Sequence, residues 1–144
     1  MAKDGSIMTE VEKWLAAWGD RTVIAFDFDG VIATYEGWLG ADVFGKPIKQ
    51  TIDFMNSLQF RSDYKFYVTI FTSRQATPAI KKWLADNNVH YDSINDNSHN
   101  PPDSSHKPFY HVFIDDRAIG YRGQHISDVS NEMHCIIKGI YGHK

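Results

Sequence analysis

The sequence predicts an α/β fold, a three-layer α/β/α sandwich around a mainly parallel, Rossmann-like sheet. Three observations carry that prediction. Short apolar runs rich in β-branched and aromatic residues lie near residues 22–27, 64–71 and 110–114. Amphipathic stretches of helical period separate them, the pattern of strands joined by helical crossovers. Each of the three runs ends in polar, chemically capable residues. Right-handed crossovers bring the carboxyl ends of such strands to one edge, where open α/β sheets hold their ligands.

Composition sets the limits. A chain of 144 residues suits one domain, over 1–144, with a real core. The apolar and charged fractions, 42% and 23%, are those of an ordinary globular protein. A net charge of −3 gives no basic footprint for extended nucleic-acid contact. It leaves a nucleotide or a nucleic-acid end open as a substrate. Cys135 is the only cysteine, so an internal disulfide and a cysteine metal site are excluded. Its apolar surroundings predict a core position. No apolar run approaches the roughly 18 residues of a membrane span, and no signal-peptide pattern is present, so a cytoplasmic protein is expected.

The elements follow in order. Residues 1–6 are expected to fray, within an N-terminal helical region over 1–20. Val11, Leu15 and Trp18 give that helix an apolar stripe, with Thr9 as N-cap and Gly19 as stop. The first strand runs from about Thr22 to Asp27. Residues 32–45, with three glycines and the aromatic Tyr35 and Trp38, form a flap-like loop. Trp38 there either touches substrate or caps the core. Pro47 opens a helix whose core face is Ile48, Ile52, Phe54, Met55 and Leu58. A second strand covers Tyr64–Phe71. Thr77 and Pro78 start a helix that ends near Asn87 and Asn88. Residues 89–94 form a short third strand, and 95–107 a polar loop long enough to be functional. Tyr110–Ile114 is the fourth strand, and Ile126–Ile140 a closing helix. The seven histidines show no zinc-like spacing, and most are expected at the surface.

The chemistry gathers at strand ends. The first strand delivers Asp27 and Asp29, spaced i, i+2, then Gly30 where the backbone turns away. Two carboxylates so close disfavour each other's ionisation, and a hard cation relieves the conflict. Oxygen donors without nearby Cys or His select magnesium over zinc. The second strand delivers Thr72, Ser73 and Arg74; the fourth delivers Asp115 and Asp116, with Lys107 just upstream. A core has no use for such a set, because each buried charge needs a partner. Phosphoryl transfer uses all of it: an attacking carboxylate, cations on the phosphoryl oxygens, a hydroxyl to orient them and a second carboxylate for the proton. Arg74 suits a phosphate oxygen or, equally, a structural ion pair.

These motifs resemble those of the haloacid dehalogenase (HAD) superfamily of phosphohydrolases. Asp27-Phe28-Asp29-Gly30-Val31 is similar to its first motif, and Val68–Thr72 to its second. Lys107 is similar to its third and Val112–Asp116 to its fourth, all in family order. The wording around Asp27, Gly37–Asp42 and Asp115–Ile119 resembles a small capless subgroup of phage and bacterial type. The resemblance implies a magnesium-dependent phosphatase. Asp27 is the implied nucleophile, forming an aspartyl-phosphate, and Asp29 the general acid and base. Thr72 and Lys107 contact the phosphoryl group, with Gly30, Ser73, Arg74 and Trp38 on the substrate side. Magnesium is held by Asp27, the Asp29 carbonyl and Asp115, with Asp116 a direct ligand or one step removed. The intervals that carry caps in the family are short here, so no cap domain is expected. Lys81 and Lys82 are rivals to Lys107, which lies nearer the acidic pair. The implied partner is a phosphorylated substrate, small molecule or nucleic-acid end, which makes a 3′-phosphatase acting on polynucleotide ends one alternative. A phospho-accepting, receiver-like signalling module is another. Asp29 argues against it, because a carboxylate two residues past the nucleophile promotes dephosphorylation.

Overall fold

A computed structural model describes residues 7–142. The expected frayed start at 1–6 and His143 lie outside the described residues. Helix α1 (Glu10–Trp18) leads into strand β1 (Arg21–Phe26), then α2 (Lys49–Ser57) with a 3-10 turn at Leu58–Phe60, and β2 (Lys65–Ile70). Helix α3 (Pro78–Asp86), β3 (Ser93–Ile94), β4 (Val112–Ile114) and α4 (Ile126–Tyr141) complete the chain. All four strands are parallel, in the order β3-β2-β1-β4. This is a small α/β domain of Rossmann-like type. Contacts gather the chain into two units, one up to Ile114 and one from Asp115 onward.

In the first unit β1 is central and buried from Val23 to Phe26. A strand covered on both faces reads as a continuous apolar run, as here. Ile52 and Met55 of α2, Ile80 and Leu84 of α3, and Val68 and Ile70 of β2 close the core with Phe28 and Ile32. Helix starts follow side-chain chemistry. The Thr9 hydroxyl accepts from the Glu12 N–H, and Thr77 accepts from Ile80 N–H ahead of Pro78. In the second unit the His125 side chain accepts from Ser127 N–H at the head of α4. Gln124 folds the preceding turn by accepting from Arg122 N–H and donating to the Gly120 carbonyl.

Several sequence expectations need correction. Helix α1 packs through Trp14 and Trp18, while Val11 and Leu15 stay exposed. Trp14 donates to the His99 carbonyl, and Trp18 lies against Tyr67 and His99. The larger rings claim the contact, so the packed stripe is shifted from the predicted one. His99 is buried in that aromatic nest, an exception among histidines expected mostly at the surface. Pro47 precedes the helix it was to open; Ile48 is the N-cap, and Pro47 bridges Ala33 instead. Phe54 is exposed on the outer side of α2, with only a ring edge toward Phe26. Cys135 is exposed on α4.

The outer strands are shorter than predicted because side chains replace ladder partners. The Asp92 carboxylate takes the Val68 N–H, so β3 begins at Ser93. His111 Nδ1 takes the Val23 N–H, so β4 begins at Val112.

Candidate functional site

The end of β1 sets the geometry. Phe26 pairs with Ile70 on one side and Ile114 on the other. Its carbonyl accepts from Phe71 N–H at 2.9 Å, and Asp27 N–H donates to the Ile114 carbonyl at 3.0 Å. Three strand ends are thereby held level. Asp27 leaves the strand half-buried, with Oδ1 accepting from the Phe28 N–H at 2.8 Å. Phe28 is fully buried, and its carbonyl collects the N–H groups of Val31, Ile32 and Ala33. That tight turn needs Gly30 at φ 84°, a region that side chains disfavour. The Gly30 N–H is committed to the Ala33 carbonyl at 2.7 Å.

Asp115 and Asp116 follow Ile114, the last residue of β4, which the register pairs with Phe26. One carboxylate oxygen from each of Asp27, Asp115 and Asp116 lies within 4.8 Å of the others. The donor set is oxygen only, as a hard divalent cation such as magnesium requires. Although Asp116 partly meets solvent, the surrounding protein raises its pKa by desolvation, and neighbouring Asp115 adds to the rise. A carboxylate whose ionised form is disfavoured in this way is favoured by a bound cation. The Asp29 carboxylate is not in the cluster; the resemblance asks only for its backbone carbonyl.

Asp29 has a different partner. Its Oδ2 accepts from Arg74 Nε at 2.8 Å, with both side chains largely shielded. Its Oδ1 is buried and has no hydrogen-bond partner among the described residues. Arg74 also donates to the carbonyls of Ala41 at 3.1 Å, Val43 at 2.9 Å and Gly40 at 3.4 Å. Its guanidinium carbon sits 4.8 Å from the Trp38 ring centre and 4.9 Å from that of Phe44. Arg74 therefore ties residues 40–43 to Asp29. Trp38, whose ring lies against the guanidinium, is more than half exposed.

Thr72 is buried just past β2, and its Oγ1 accepts from the Arg74 N–H. Asn95 holds this corner: its Oδ1 accepts from Thr72 N–H at 2.8 Å and its Nδ2 donates to the Arg74 carbonyl at 2.9 Å. Sequence reasoning passed over Asn95 as the first residue of a polar loop. Its left-handed backbone, φ 52°, and its place directly after β3 are what a strand-end Asn can signal. Ser73 is exposed beside Thr72. Lys107 is exposed, with Nζ 5.3 Å from the Tyr110 ring centre and its carbonyl accepting from Asn100. Of the rivals, Lys82 pairs with Asp86 on its own helix.

No family model matches the chain, and no curated protein matches it. Among solved structures it is similar to the conserved protein coded by a locus of Bacteroides thetaiotaomicron. The TM-score is 0.54 at 20% identity, over 86% of this chain and 93% of that one. At that identity the likeness carries the α/β fold alone.

Proposed function

We propose that this chain is a magnesium-dependent phosphohydrolase of HAD type, acting on phosphate monoesters through an aspartyl-phosphate on Asp27. The observation that supports it best is the gathering of the Asp27, Asp115 and Asp116 carboxylates at the ends of two paired strands. Thr72 is set at the end of a third. Asp27, Asp115 and Asp116, with the Asp29 carbonyl, would hold magnesium, which would neutralise charge on the phosphoryl oxygens.

The chain's own residues do the rest. Asp27, whose Oδ1 accepts from the Phe28 N–H, is the attacking carboxylate. Its attack on phosphorus breaks the ester P–O bond, and the departing oxygen takes a proton from Asp29. Water then attacks phosphorus, Asp29 receives its proton, and Asp27 leaves as a free carboxylate. Arg74 holds Asp29 Oδ2 and so fixes the orientation of the carboxyl that moves the proton. The Thr72 hydroxyl accepts from Arg74 N–H and keeps its own O–H for a phosphoryl oxygen. Lys107 swings from the Tyr110 ring to add a second positive charge. The substrate is phosphorylated, and the setting cytoplasmic.

A second reading rests on the same ion pair. A domain whose second carboxylate is held by an arginine retains its phosphate, as a signalling module does. The test is phosphate release from p-nitrophenyl phosphate with magnesium. Catalytic release in wild type, abolished in Asp27→Asn and in excess chelator, is the expected result. A stable phosphoprotein without turnover selects the second reading, and full activity in Asp27→Asn removes both.

A further inference from the structure

A cavity of about 480 Å³ opens beside Asp29 and Arg74, beneath residues 34–46. That volume falls in the range that takes a small organic molecule. A backbone contact holds its rim in place. Thr34 N–H donates to the Lys46 carbonyl, and Lys46 N–H donates to the Thr34 hydroxyl. The approach is so close that only a glycine fits at position 45.

The chemistry of the walls is mixed but lightly charged. Tyr35 and Leu39 contribute apolar surface, and Glu36 and Lys46 contribute one charge of each sign. Arg74, the other cation present, already has Nε, Nη1 and Nη2 donating to Asp29 and to the carbonyls of 40–43. The cavity thus offers no uncommitted excess of positive charge for a second phosphate. Polynucleotide backbone carries one negative charge per residue, and proteins that bind it supply cations to match.

We propose that this cavity receives the leaving group of the ester and selects a neutral, ring-bearing alcohol of up to nucleoside size. Substrates with further phosphates, and polynucleotide ends, are disfavoured. This proposal rests on the phosphohydrolase reading. Tyr35 and Leu39 form the face against which the ring lies. Glu36 and Lys46 offer an acceptor and a donor to its polar edge. Asp29, on the floor, meets the bridging oxygen.

The test compares kcat/KM, with magnesium, for four compounds: acetyl phosphate, a nucleoside 5′-monophosphate, the matching diphosphate and a 3′-phosphorylated oligonucleotide. It is repeated in Leu39→Trp, which narrows the cavity, and Leu39→Ser, which widens it. Leu39 is 72% exposed, so neither change disturbs the core. The monophosphate is expected to exceed the diphosphate and the oligonucleotide by about tenfold or more. Leu39→Trp is expected to raise KM for the monophosphate about fivefold, and by a larger factor than it raises KM for acetyl phosphate. Acetyl phosphate turnover together with equal use of monophosphate and oligonucleotide overturns the proposal and spares the phosphohydrolase reading. So does a Leu39→Trp variant with unchanged KM for the monophosphate. Failure to hydrolyse any of the four overturns both.

Discussion

Arg74 shows how one side chain can serve both a site and the fold. Its guanidinium joins the carboxylate of Asp29 to three carbonyls of the flap, almost wholly out of solvent. Removing one partner of such a pair leaves the other charge buried and alone. Arg74→Met is therefore expected to destabilise the protein by about 3–5 kcal/mol in a denaturant melt, with Arg74→Lys intermediate. Loss below about 1 kcal/mol would show that the pair is not holding the flap. Asp116 carries a different prediction. Its raised pKa means that the proton competes with a divalent ion at higher pH than at an ordinary aspartate. Magnesium affinity, measured by calorimetry, should fall as pH drops through that raised value, and proton release on binding should diminish in Asp116→Asn. The same rise has a stability consequence. Without added ion, ionising Asp116 opposes folding, so stability is lost as pH climbs from the usual aspartate value to the raised one.

At the scale of elements, the first strand was readable because burial on both faces writes a continuous apolar run, from Val23 to Phe26. The caps Thr9 and Thr77 were readable because capping is local chemistry. What the sequence hid were tertiary choices. Asp92 and His111 displace ladder hydrogen bonds, and nothing in their neighbours announces it. His99 is buried only because Trp14, Trp18 and Tyr67 meet around it from two distant elements. Arg21 stacks on the Trp18 and Tyr67 rings at 3.7 and 4.0 Å, a contact that links α1, β1 and β2. The flap was legible as irregular chain, but not the Arg74 clamp that gives it shape. Its other fixed point is Gly45, where a Cβ would stand 1.8 Å from the Thr34 carbonyl oxygen. Gly45→Ala should part that contact, destabilise by about 1–3 kcal/mol, and loosen the flap amides in hydrogen exchange. Unchanged protection over 34–46 would contradict the described packing.

For the whole molecule, the parallel sheet follows from alternating periodicities, and the site follows from where its strands stop. Strand order could not be read from sequence, because any of several orders satisfies the same apolar runs. With β1 between β2 and β4, Asp27 follows the end of β1 directly, and Thr72 lies just past the end of the neighbouring β2. No described helix is long and apolar enough to cross a membrane. The likeness to a solved structure extends over most of both chains and concerns the fold. The proposed chemistry rests on the residues themselves, and above all on Asp27 as the proposed acceptor of the phosphoryl group. The most direct measurement is peptide mapping by mass spectrometry after wild-type protein is mixed with magnesium and acetyl phosphate and quenched in acid. The account predicts one phosphoryl group, on Asp27, formed only with the ion present. Turnover with no phosphorylated carboxylate, or the phosphoryl group on any other residue, would contradict it.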